Sequence, residues 1–103
     1  MRSFQVAILP PAERDLDAIH WYVSRNSELA ATSLTDQLLD AAMQLGHFPR
    51  RHPVVFGRKV GGFPVRCRVC MSYRVLFQIR GSSVFVLRFL HGSRRVPRRL
   101  AES

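Results

Sequence analysis

The sequence predicts an α+β fold in which one N-terminal strand and an antiparallel helical hairpin precede a C-terminal antiparallel sheet. Three observations predict it. Apolar residues recur at helical spacing between residues 12 and 45, and they alternate with period two from residue 65 to residue 91. Residues that favour turns and breaks (Gly, Pro, Asn, Ser) gather at the joints between these segments. A length of 103 residues leaves room for one domain, with little more than one layer of helices on one sheet. That domain is expected to span residues 1–103, with a basic tail from about residue 92.

The opening strand is read over Ser3 to Leu9, with Phe4, Val6 and Ile8 on one face. Pro10-Pro11 stops it and suits the first turn of a helix. Glu13, Asp15 and Asp17 follow near that helix N-terminus, where the macrodipole favours negative charge. Ala12, Leu16, Ile19 and Val23 form the core-facing stripe, and Trp21 and Tyr22 are read as widening it. Asn26-Ser27 breaks the helix, and Ser27 is suited to cap a second one. Ala31, Leu34, Leu38, Ala41 and Leu45 recur at intervals of 3, 4, 3 and 4, and Gly46 is read as the terminator. The short break between the two helices predicts a helical hairpin.

Residues 47–62 read as a basic loop containing Arg50, Arg51, Gly57-Arg58-Lys59 and Gly61-Gly62. Beyond it, Val65, Cys67 and Val69 alternate with Arg66, Arg68 and Cys70, and Tyr73, Val75, Phe77 and Ile79 alternate with Arg74, Leu76, Gln78 and Arg80. The last strand places Phe85, Leu87, Phe89 and His91 against Val84, Val86, Arg88 and Leu90. A three-residue loop, Gly81 to Ser83, pairs Val75 with Phe89, Phe77 with Leu87 and Ile79 with Phe85, which collects one apolar face. This register sets Arg74 and Arg88 on the opposite face beside Arg66 and Arg68, and stands Tyr73 across from His91 on the helix side.

Charge is divided along the chain. Residues 1–45 carry three Arg against six Asp and Glu, a net of −3, whereas residues 46–103 carry thirteen Arg or Lys against Glu102 alone, a net of +12. Such an imbalance points to an anionic partner, a nucleic acid or an acidic protein segment. No run approaches the roughly 18 apolar residues that span a bilayer, and the N-terminus is too short in apolar residues for a secretory signal, so a cytoplasmic protein is expected. Cys67 and Cys70 form a lone C-x-x-C without a second pair, and on a strand they point to opposite faces, which excludes a bridge. His47 and His52 lack matching carboxylates, so no metal site is expected.

The whole order resembles the RelE/ParE superfamily, the toxic halves of bacterial type II toxin–antitoxin modules. The resemblance rests on Ala12-x-x-Asp15-Leu16-x-x-Ile19-x-x-Tyr22, Ala31-x-x-Leu34, Leu45-x-x-x-Pro49, Arg66, Tyr73-Arg74-Val75-Leu76-Phe77 and Val86-Leu87-Arg88-x-x-His91, and covers about residues 3–95. It implies a small basic toxin neutralised by a cognate antitoxin, with no cofactor, small-molecule ligand or membrane. RelE-like members cleave mRNA in the ribosomal A site, and ParE-like members inhibit DNA gyrase. The stretch Leu87 to Ser93 and the long regular hairpin resemble the ParE-like branch, so gyrase is the expected target and the ribosome with its mRNA the alternative.

Metal-independent mRNA cleavage needs a base for the 2′-hydroxyl, cations for the phosphate and an acid for the leaving oxygen. Arg66 and Arg88 are the candidate cations, His91 the candidate base, and Tyr73 the residue that orients the RNA. Two features weigh against this. RelE-like nucleases often carry a tyrosine after the last strand, whereas Gly92 and Ser93 follow His91 here, and the register turns His91 away from the arginines. Arg66, Arg68, Arg74, Arg88, Arg94 and Arg95 are instead read as a surface for an acidic antitoxin or a polyanion. Trp21 is assigned to the helix core, with an exposed anchor for a protein partner as the alternative. A DNA-binding module is the weakest reading, because both helices are acidic overall and neither suits a recognition helix.

Overall fold

The computed structural model describes residues 3–100, so Arg2 and Glu102 of the charge balance lie outside the described residues. Strand β1 (Gln5–Ile8) leads into helices α1 (Pro10–Ser24) and α2 (Glu28–Met43), followed by strands β2 (Val54–Val60), β3 (Phe63–Cys70), β4 (Tyr73–Arg80) and β5 (Ser83–His91). The five strands form one sheet in the order β1-β5-β4-β3-β2, with β1 parallel to β5 and the other pairs antiparallel. This is the α+β arrangement expected from the sequence.

The helix boundaries follow the local chemistry. Prolines occupy the first turn of α1, and the Ser27 side chain accepts from the Ala30 N–H at 3.1 Å to cap α2. Gly46 does a different job from the one expected. The chain leaves α2 through a short 3-10 turn, Gln44–Gly46, and the Gly46 carbonyl accepts from the Phe4 N–H at 2.8 Å. A Cβ there would sit 2.9 Å from the Phe4 carbonyl oxygen, so the glycine allows β1 to approach closely.

Both faces of the sheet are covered, and this overturns the expectation of one free arginine face. On the helix side, Ala12, Leu38, Ala42 and Leu45 pack on Val75, Phe77, Val84, Val86 and Phe89. On the far side, Val65, Leu76, Leu87 and Leu90 form a second cluster with Leu100, and Val96 packs against it. The segment after β5 therefore lies across the far face. Arg58 donates to the Pro97 and Arg98 carbonyls and Arg74 to the Arg94 carbonyl, pinning that segment to the sheet.

Two further expectations need correction. Residues 54–60 form the edge strand β2 rather than a loop. Its pairing to β3 shifts between Val54 and Lys59, around Gly57 at φ 72°, so no clean alternation marks it. The last hairpin turns on two residues, Gly81 and Ser82, and pairs Phe77 with Val86 and Ile79 with Val84. A bulge between Leu76 and Phe77 on that ladder then restores the expected pairings of Val75 with Phe89 and Tyr73 with His91. Cys67 packs with the far-side cluster and Cys70 with the helix-side one, both as free thiols.

Candidate functional site

Helix α1 crosses the end of β5, and the contact there is ionic. The Asp15 carboxylate accepts from Arg88 Nε at 2.6 Å, from the second Arg88 nitrogen at 2.9 Å and from the Phe89 backbone N–H at 3.0 Å. Arg88 is only 8 % exposed, and the Asp15 hydrogen bond chiefly holds its guanidinium above the usual arginine value, against the opposing effect of burial. The sequence marks Asp15 only as a charge favoured by the helix dipole. The signal for its real role was present, because it lies three residues after Ala12 and four before Ile19, on the core-facing stripe. An acid there needs a buried partner.

Beside this pair an open groove of about 470 Å³ runs between α1 and the ends of β4 and β5. Ile19, Tyr22, Tyr73 and Phe89 make its apolar wall, and Asp15, His91 and Arg94 its polar rim. The structure brings Tyr73 and His91 together as the sequence predicts, with ring centroids 5.3 Å apart in an edge-to-face arrangement. His91 is on the helix side but exposed. Its Nδ1 lies 2.7 Å from Ser93 Oγ and accepts from the Ser93 backbone N–H at 3.2 Å. A backbone N–H cannot accept, so in the neutral ring Nδ1 is the unprotonated nitrogen and the proton sits on Nε2.

The remaining expected cations do not join this groove. Arg66 and Arg68 pair with Phe77 and Val75 across the ladder, which puts them on the helix side of the sheet. Arg66 donates to the Arg50 and His52 carbonyls, and Arg68 to the Ala41 carbonyl and Gln44 Oε1 at the end of α2. Arg74 faces the opposite way, bonded to the Arg94 carbonyl. The four sheet arginines thus occupy three separate places. Alternation had grouped them correctly along β3, but it could not tell which face the helices cover. Arg94 and Arg95 are exposed.

Trp21 also departs from expectation. It is 65 % exposed near the hairpin tip, with the Arg25 guanidinium 5.2 Å from its ring centroid, and Tyr22 and Leu29 are exposed with it. Sequence reasoning passed over one more group. Phe48, Arg50 and Arg51 border a hollow against Phe4 at the other end of the molecule. Among the described residues no cluster of His, Cys, Asp and Glu has the makings of a metal site. No described helix is long and apolar enough to cross a membrane.

The fold has a solved counterpart. A chain from a structure described as a chromosomal ParDE toxin–antitoxin system from P. aeruginosa superposes with a TM-score of 0.70 at 20% identity, covering 86% of this chain and 96% of that one. A sequence search of proteins with curated function gives no match. The model of the family described as "ParE toxin of type II toxin-antitoxin system, parDE" matches residues 6–96. That span takes in β1, the helical hairpin, the whole sheet and the groove, and the chain belongs to the ParE toxins, the toxin halves of type II systems, for which a cognate antitoxin is the partner.

Proposed function

We propose that this toxin acts by binding DNA gyrase and inhibiting it, not by cleaving mRNA. The observation that carries this reading is the state of His91. Its one basic nitrogen is occupied by the Ser93 N–H, so the neutral ring offers the groove a donor where a nuclease needs an acceptor. The cations agree with it. Asp15 neutralises Arg88, and Arg66 is bonded to backbone carbonyls on another part of the sheet. Among the described residues, Arg94 is the one arginine that borders the groove with His91 and Tyr73, which leaves a crowded phosphate with little to hold it. Gyrase acts on chromosomal DNA, so this reading places the toxin in the cytoplasm.

For the antitoxin, the exposed apolar residues Trp21, Tyr22 and Leu29 with the adjoining groove suit an amphipathic segment, and Arg94 and Arg95 suit its carboxylates. Arg66, Arg74 and Arg88 have backbone or side-chain partners of their own, so they contribute less than the sequence suggested. Purified toxin is expected to inhibit gyrase supercoiling and to leave ribosome-bound mRNA intact, with antitoxin restoring supercoiling. Cleavage of ribosome-bound mRNA that disappears in His91→Ala, with gyrase unaffected, would reverse the assignment.

A further inference from the structure

The hollow at the opposite end from the groove is built from unusual parts. Phe4, Phe48, Pro49, Arg50 and Arg51 line a volume of about 280 Å³. Phe48 occupies the left-handed region at φ 49° and ψ 50°, a conformation that bulky side chains avoid, and it is 56 % exposed. A turn needing only that backbone shape is served better by Gly or Asn. Here the chain spends strain to hold an aromatic ring outside the core.

The ring stands in a field of positive charge. The Arg50 guanidinium lies over the Phe4 ring, 6.0 Å from its centroid, and both residues line the hollow. Arg66 donates to the Arg50 and His52 carbonyls, which neutralise none of its charge. Burial and then the charges of Arg68, Arg51 and Arg66 hold His52 below the usual histidine value, so these cations converge on one corner. The sequence carries no Asp or Glu between residues 46 and 100. Asp40, on α2, borders Arg68 and offsets part of the charge there, leaving Arg50 and Arg51 outermost.

We propose that this corner is a contact site for single-stranded nucleic acid, with an unpaired base stacked on Phe48 and its flanking phosphates on Arg50 and Arg51. Stacking on an exposed aromatic beside arginines is how such strands are held without sequence preference. An acidic peptide fits less well. It would gain most by adding a strand to the neighbouring edge β2, and that edge is broken by its register shift and by Gly57. The hollow is also at the small end of ligand clefts, a size for one planar ring. The inference goes beyond the gyrase assignment and does not require it.

The test is fluorescence anisotropy of a short labelled oligothymidylate with the free toxin. Phe48→Ala is expected to weaken binding about tenfold. Phe48→Tyr should retain binding, and Phe48→Asn should fold at least as stably as the parent yet bind as weakly as the alanine variant. Arg50→Ala with Arg51→Ala should flatten the logarithmic salt dependence by about 1.4, the release of two counterions from a single strand. The control Arg14→Ala with Arg98→Ala removes equal charge at exposed positions outside the lining of the hollow and should change affinity less than about threefold. Equal losses from the control, or an unchanged affinity in Phe48→Ala, would overturn the site in favour of diffuse charge. Displacement of the oligonucleotide by polyglutamate of matched length as efficiently as by unlabelled oligothymidylate would assign the corner to an acidic protein instead. Gyrase inhibition is measured separately, so neither result depends on the other.

Discussion

Replacing Asp15 by alanine strands the Arg88 guanidinium where water barely reaches it. The carboxylate accepts three hydrogen bonds, at 2.6, 2.9 and 3.0 Å, and the two side chains are 13% and 10% exposed. Removing one partner of such a pair costs about 3–5 kcal/mol, because the remaining charge is left without compensation. The residual exposure of Arg88 argues for the lower end, about 3 kcal/mol, still a large share of the 5–15 kcal/mol that holds a domain together. Urea unfolding followed by circular dichroism should then show a midpoint lower by about 1–3 M with an unchanged slope. Asp15→Asn keeps the shape and one acceptor, and should lose about half as much. The double variant Asp15→Leu with Arg88→Met should recover most of the loss, since well-packed apolar residues replace buried ion pairs at little cost. Arg88 is held above its ordinary value, so its contribution is complete at lower pH and lost only in strong alkali; the Asp15→Ala loss should therefore not vary through Arg88 titration near neutrality. A loss below about 1 kcal/mol in Asp15→Ala, or a double variant no better than the single one, would refute the view that this pair locks α1 onto β5.

Other outcomes follow from the same geometry. Leu100 is 2 % exposed in the far-side cluster, so Leu100→Ala should cost about 2–3 kcal/mol in urea unfolding and increase binding of an apolar dye. Trp21→Ala should change stability by less than about 0.5 kcal/mol, whereas a core tryptophan would cost several; a large loss would restore the helix-core reading. His52 sits below its ordinary value of 6.5, so the unfolded chain binds its proton first and stability should fall as pH drops below that value. His52→Gln should flatten this acid limb of the stability profile, and an unchanged limb would show that another group causes it. Gly46→Ala should lower the melting temperature, because its Cβ meets the Phe4 carbonyl oxygen at 2.9 Å, and a neutral effect would mean that β1 yields easily.

Much of the architecture is legible in the residues alone. The interval pattern from Ala31 to Leu45 needs a helix, and the alternation through β3, β4 and β5 needs a sheet, because only those backbones bring the apolar residues to one side. The meeting of Tyr73 with His91 and the opposite facing of Cys67 and Cys70 follow from the same periodicity. Periodicity says which residues share a face, however, and not what covers it. Alternation sets Val65 and Arg66 on opposite sides of β3, as observed, but the side turned to the helices is that of Arg66, the reverse of the expectation. The far face is apolar because Val96 and Leu100 return over it, a contact between residues distant in sequence that no local pattern encodes.

The same limit applies to the candidate site. Within the β4–β5 hairpin, two-residue and three-residue turns differ little in local energy. Burial of Val84, Val86 and Phe89 on the helix side selects the shorter turn and absorbs the difference in a bulge. Composition and spacing alone determine a basic α+β fold with its strands and helices in order. Tertiary packing alone decides which arginines are spent on the fold: Arg88 by Asp15, Arg66 and Arg68 by carbonyls at the end of α2 and in the turn that follows it, and Arg58 and Arg74 by the returning tail. A cation's availability depends on the groups brought within about 3 Å of it, and only the folded chain sets those distances.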